Sequence, residues 1–338
     1  PFQREENGNR EANLFQRRKR SFPLPLLFLG FLNAVSMEPA TANDPMIDDE
    51  STPLTILDAS SYQLHDLDSI DLPPTLIEID LTANRLTKLD SRISHLSNLK
   101  KLSLRQNLFN DAGVEPISQW DTISGLEELV LRDNQLKKIP DVSIFKTLLV
   151  FDVSFNEISA MTGLSKVSST LKELYVSKNE VTKIEEIEHF HELLILELGS
   201  NRLRVIENLQ NLTNLQELWL GRNRIKAINL CGLKCIKKLS LQSNRLTSMK
   251  GLEECTALEE LYLSHNGIVK MEGLLEDLWF NDNQLASLDG IAEAVSGSRE
   301  KLTTIYLEHN PCAKSTEYLT SLRQIFPNIE QIDSEVFA

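Results

Sequence analysis

Apolar and polar positions along this chain recur in one phrase: apolar, two variable, apolar, one variable, apolar, two variable, Asn, one variable, apolar. Leu193, Leu196, Leu198, Asn201 and Leu203 make a clean copy, and Leu215, Leu218, Leu220, Asn223 and Ile225 repeat it directly afterwards. The phrase occurs eleven times, with Asn at 84, 107, 134, 156, 179, 201, 223, 244, 266, 283 and 310. Alternating apolar and variable residues predict a short strand with one buried face. The Asn falls where the chain must turn out of that strand. A buried Asn suits the corner because its amide both donates to and accepts from backbone groups of neighbouring coils.

This is the leucine-rich-repeat signature, and it predicts a solenoid in which each coil adds one strand to a parallel sheet. Most intervals between the asparagines are about 22 residues, inside the range of such repeats. Ile, Leu or Met stands at the fifth position after most of the asparagines. Such a coil has room outside the sheet only for a 3-10 turn or a very short helix. The predicted class is therefore α/β: a right-handed solenoid with a concave parallel sheet and a short 3-10 or helical outer arc. A weaker copy at Leu54, Leu57, Ala59 and Leu64, with Tyr62 at the Asn position, reads as an atypical first coil that caps the array. After Asn310, the residues Tyr318, Leu319, Leu322, Ile325 and Phe326 recur at helical spacing before Pro327, which predicts a short amphipathic helix over the last coil. The expected organisation is a leader over 1–51, a solenoid of eleven to twelve coils over 52–310 and a C-terminal cap over 311–338.

Net charge is −14, from 49 acidic and 35 basic residues, which argues against nucleic acid as the main partner and for an acidic surface offered to a protein. Four cysteines, Cys231, Cys235, Cys255 and Cys312, are too few and too scattered for a disulfide framework, and reduced thiols point to cytoplasm and nucleus. Cys312 occupies an apolar repeat position and is expected in the core. Cys231 with Cys235, and His189 with His191, lack the further ligands that a metal site requires, so no metal or cofactor is expected. Arg17, Arg18, Lys19 and Arg20 precede an apolar run over 22–35, the layout of a secretion signal, yet the run contains Pro23 and Pro25 and is too short to span a bilayer. Because the first methionine is Met37, residues 1–36 read as sequence upstream of the native start.

The phrases Glu197-Leu198-Gly199-Ser200-Asn201-Arg202, Gln242-Ser243-Asn244-Arg245-Leu246-Thr247, Glu260-Leu261-Tyr262-Leu263-Ser264-His265-Asn266 and Trp279-Phe280-Asn281-Asp282-Asn283 closely resemble the leucine-rich-repeat regulatory subunit of type-1 protein phosphatase, the regulatory-subunit-seven family. The resemblance runs from about Leu54 to Asp333. It implies a non-catalytic protein that clasps the phosphatase catalytic subunit with its concave face, alone apart from that partner. One interval departs from the pattern. Asn266 to Asn283 is the shortest in the array and too short to carry the chain round a coil and back, where family members have a further complete repeat. Loss of one coil with part of its return arc, by exon omission or a gene-model error, is the expected origin. A real gap of this length predicts a sheet pinched between Leu263 and Phe280.

Function in such a solenoid is expected at the variable strand positions. The slot between the second and third apolar residues reads Asp80, Ser103, Val130, Asp152, Tyr175, Glu197, Trp219, Ser240, Tyr262, Trp279 and Tyr306 through the coils. Five of the eight Tyr and Trp residues (5 Tyr, 3 Trp) stand in it. The slot two residues earlier is acidic six times, at Glu78, Glu128, Glu173, Glu217, Glu260 and Asp277. Strand propensity explains aromatics on strands but not their alignment on the exposed face, whereas aromatics bordered by carboxylates are what a protein-recognition surface requires. Carried over by motif, the family's phosphatase contacts fall on Asp152, Tyr175, Glu197, Trp219, Asp277, Trp279 and Tyr306; Tyr262 joins them from the aromatic column. Tyr175 and Trp219 stand where the family typically has Phe, and one acidic contact of the family pattern falls in the absent coil. No phosphate loop, nucleophile elbow or paired-His motif occurs, and the concave carboxylates are expected to be solvated. A scaffold in a ribonucleoprotein or ciliary complex is the competing reading, although such solenoids typically have fewer coils. A secreted recognition solenoid rests on residues 17–35 alone.

Overall fold

In the computed structural model the described residues are 53–271, 277–294 and 300–337. The basic stretch, the apolar run over 22–35 and the start expected at Met37 lie outside them. Each repeat phrase forms a three-residue strand centred on its middle apolar residue: β1 (Ile56–Asp58), β2 (Glu78–Asp80), β3 (Lys101–Ser103), β4 (Glu128–Val130), β5 (Val150–Asp152), β6 (Glu173–Tyr175), β7 (Ile195–Glu197), β8 (Glu217–Trp219), β9 (Lys238–Ser240), β10 (Glu260–Tyr262), β11 (Asp277–Trp279) and β12 (Thr304–Tyr306). These pair in sequence order, all parallel, with central residues in register, for example Leu196 with Leu218 and Leu218 with Leu239. Alternation buries the centre of each strand and turns its two ends to the concave face, so the two variable columns are the two ends of the strands.

The core is one continuous stack of leucines and isoleucines, joined by the fully buried Phe109, Phe145, Phe151, Phe190 and Phe280. Burying each such side chain contributes about 1.5–3 kcal/mol. Ordinary arcs close by successive tight turns, as where Phe190 N donates to Ile187 O (3.1 Å) and Leu193 N to Phe190 O (3.2 Å). The two longest intervals have room for helix: α1 (Asp111–Val114) follows Asn107, and α2 (Ile291–Ala294) follows Asn283.

At the corner, the Nδ2 of Asn201 donates to Val176 O (2.9 Å) and Leu198 O (3.0 Å), and its Oδ1 accepts from Val181 N (2.9 Å). The same linkage across coils recurs through the repeats, for instance at Asn107 and Asn283. The repeat pattern did not reveal that the residue before every one of the eleven asparagines is left-handed, with φ between +54° and +63°. None is glycine, and this conformation costs about 1–2 kcal/mol per L-residue. The amide network that follows offsets it, and the strained side chain is left facing outward.

The short interval from Asn266 to Asn283 overturns an expectation. It does close a coil: Leu261 pairs with Leu278 and Tyr262 with Trp279. Leu263 N donates to Trp279 O (2.7 Å), so the predicted pinch between Leu263 and Phe280 is absent. Strand pairing fixes the spacing on the concave side.

At the first coil, β1 pairs with β2, while Tyr62 stands 66% exposed instead of turning the corner. Asn84 of the next coil makes its usual bonds to this one, accepting from Leu64 N and donating to Ala59 O. At the other end α3 (Tyr318–Ile325) buries Tyr318 and Leu322. The chain then adds β13 (Gln331–Ile332), parallel to β12, and β14 (Glu335–Val336), antiparallel to β13, which closes the sheet edge. Asp333 performs the corner function here. Its Oδ1 accepts from Leu307 N (2.7 Å) and Glu308 N (2.9 Å), and its Oδ2 from the Tyr318 hydroxyl (2.8 Å).

Candidate functional site on the concave face

The third residues of β8, β10, β11 and β12 form one row of rings. Trp219 and Tyr262 lie 5.7 Å apart between centroids, Tyr262 and Trp279 4.4 Å, and Trp279 and Tyr306 5.5 Å, the last two pairs with planes only 20° and 15° apart. Trp219 and Tyr262 are not on adjacent strands. They meet above Ser240 of β9, which is small and buried. A large side chain at that slot would separate them, a relationship that the column of letters does not show.

The acidic slot two residues earlier orients the aromatic slot. The Tyr175 hydroxyl donates to Glu173 Oε2 (2.7 Å), Trp219 Nε1 to Glu217 Oε2 (3.1 Å) and the Tyr262 hydroxyl to Glu260 Oε2 (2.6 Å). Side chains two apart on a strand share a face, and Glu-Leu-aromatic is the sequence form of this pair. Burial, with the adjacent glutamate, pushes the Tyr175 and Tyr262 phenols well above their ordinary range. They remain neutral donors. Tyr306 is held differently, accepting from Gln331 Nε2 (2.8 Å) of the cap.

A second cluster lies on β5 to β7, where Asp152, Tyr175 and Glu197 occupy adjacent slots. The expectation that concave carboxylates are solvated fails here. Asp152 is 9% exposed. Burial pushes its carboxyl up, against hydrogen bonds from Ser154 and the guanidinium of Arg132 at 3.8 Å. Glu197 is raised by burial first; a hydrogen bond with Ser177 opposes this, and the charge of Asp152 adds to it. Glu128 is likewise raised by burial, opposed by Lys101. The cause is the strand spacing of about 4.8 Å, which packs each carboxylate between side chains of the coils on either side. Partly dehydrated anions favour a cation brought by a partner. Asp277 borders the ring row at β11 and accepts from the Thr303 hydroxyl (3.2 Å).

The remaining candidates are structural. His189 Nε2 lies 2.9 Å from Val167 O, and His191 Nδ1 lies 3.2 Å from Asn211 O, so both tie neighbouring arcs together. All four cysteines are free, and Cys312 is buried as expected. Among the described residues no His, Cys, Asp and Glu side chains gather as a metal site.

A curved sheet of repeats with a ring row and desolvated carboxylates on its inner face defines a leucine-rich-repeat recognition scaffold. The leucine-rich-repeat family model matches residues 95–118. An internalin of Listeria monocytogenes shares the fold at TM-score 0.65 and 21% identity, over 84% of this chain and 87% of that one. A leucine-rich-repeat protein of Leptospira interrogans does so at 0.58 and 24%, over 77% and 80%. The chain is 66% identical over 310 residues to the protein phosphatase 1 regulatory inhibitor subunit PPP1R7 homolog of Arabidopsis thaliana, covering 84% of this chain and 94% of the relative. It belongs to that family of phosphatase regulatory subunits.

Proposed function

We propose that the chain binds the catalytic subunit of a type-1 serine/threonine protein phosphatase through its concave face, as a single copy in cytoplasm and nucleus, without nucleic acid. The continuous row of rings Trp219–Tyr262–Trp279–Tyr306 carries the reading. Rigid rings offer contact area at low entropic cost and dominate hot spots. The family's role as phosphatase regulatory subunits supports the choice of partner. Asp152, Tyr175 and Glu197 form a second contact that takes a basic side chain, with Asp277 at the border of the ring row.

The test is capture of a type-1 catalytic subunit by the full chain and by Trp219→Ala/Trp279→Ala. Truncating such anchors costs about 2 kcal/mol or more each, so the double variant loses capture while its far-ultraviolet circular dichroism is unchanged. Undiminished capture rejects the concave face as the site.

A further inference from the structure

The chain carries −14 overall, yet one flank is basic. Where the strands of three consecutive coils end, Arg202, Arg204, Arg222, Arg224, Lys226 and Arg245 are all exposed. They occupy the positions one before, one after and three after the corner asparagines, whose geometry turns them outward. Arg224 N donates to Leu203 O (2.8 Å) and Arg245 N to Ile225 O (2.8 Å), which stacks these segments as consecutive rungs about 4.8 Å apart. Earlier on the same flank some of the charges are compensated: Lys137 pairs with Glu157 at 3.9 Å, and Arg202 with Glu180 at 2.5 Å. Beyond Arg202 compensation stops. None of Arg204, Arg222, Arg224, Lys226 and Arg245 forms an ion pair with a described residue. Like charges on neighbouring rungs repel and lower stability, and a single glutamate on one rung would remove the repulsion. The arrangement therefore asks for an anion from outside.

We propose that this arginine ladder is a second docking surface, which takes an extended acidic segment of a partner polypeptide, one rich in Asp and Glu. Charge and extent favour that occupant. The ladder crosses three rungs, about 10 Å, matched by a few extended residues bearing consecutive carboxylates. A nucleic acid or a lipid surface would reach well past it, onto a chain whose net charge repels polyanions. The ladder lies past the ends of the strands, and the rings stand on the concave face before them. Both surfaces can therefore be occupied at once, and the inference does not rest on the phosphatase reading.

The test is fluorescence anisotropy of the full chain, at low and physiological salt, with a labelled peptide of alternating Asp and Glu long enough to cross the three rungs. Arg222→Glu/Arg224→Glu/Arg245→Glu is expected to weaken binding about tenfold or more through the loss of several exposed pairs, with a melting temperature no lower than that of the unmodified chain. Trp219→Ala/Trp279→Ala is expected to retain binding. Equal affinity in the triple variant overturns the proposal. So does failure of the unmodified chain to bind the peptide at low salt, and so does tighter binding of a single-stranded oligonucleotide or of phosphatidylserine vesicles than of the peptide.

Discussion

The rings of Tyr262 and Trp279 stack at 4.4 Å with planes 20° apart, across the shortest interval of the array. Their strands are neighbours in the sheet, with the two residues in register, and theirs is the tightest ring contact in the row. Stacked pairs contribute about 0.5–1.5 kcal/mol beyond area burial. A double-mutant cycle of Tyr262→Leu and Trp279→Leu, read by denaturant unfolding, is expected to give a coupling of about 1 kcal/mol, and either single change should reduce the near-ultraviolet circular dichroism of the tryptophans. Additive effects would show that the rings merely adjoin.

Acidification acts first on the second cluster. Burial raises Asp152 and Glu197 above ordinary carboxylate values of about 4. With the folded value above the unfolded one, the folded state holds these protons more tightly. The stability that they contribute is present at low pH and is lost as pH rises through the raised values. Capture of a basic partner requires the ionised forms. Lowering pH from neutrality should therefore weaken phosphatase binding before the exposed carboxylates titrate. Calorimetry across that window should also detect proton release on binding, and Asp152→Asn/Glu197→Gln should abolish it. Binding that is flat with pH above about 4 would contradict the assignment.

The exposed acids act mainly on encounter. Glu173 and Glu217 are part-exposed beside the rings that they orient, and charges at an interface rim chiefly accelerate association, screened over about 8 Å at physiological salt. In surface-plasmon kinetics the on-rate should fall with salt more than the off-rate rises. Glu173→Lys/Glu217→Lys should slow association and flatten its salt dependence. A salt-insensitive on-rate in the unmodified chain would assign these carboxylates solely to holding Tyr175 and Trp219.

The corner makes opposite predictions for adjacent residues. Asn201→Leu strands Val181 N inside the coil, while Val176 O and Leu198 O each lose one donor and keep Asn179 or Asn223, and should cost about 1–3 kcal/mol. Ser200, left-handed at φ 55°, should instead gain about 0.5–1 kcal/mol when changed to Gly, because glycine adopts that conformation without a Cβ clash. Urea unfolding of the two variants separates them by sign.

Periodicity by itself determined the class of fold, the strand centres, the Asn corners and the two concave columns, because a repeat states its geometry eleven times and each statement depends only on neighbours one coil away. Relationships between coils were decided by tertiary structure. The letters at 240 and 262 do not say that a buried serine lets Trp219 reach Tyr262. Nor does an Asp at 152 declare its own desolvation, which comes from the side chains packed on either side of it. The short interval suggested a defect in the sheet, but strand pairing outweighs arc length and the register continues. Net charge concealed the arginine ladder, because a sum over the chain carries no positions. Alternation within one coil is local and survives in sequence, whereas burial, stacking and charge spacing belong to residues that lie a full repeat apart and become neighbours only when the coils close.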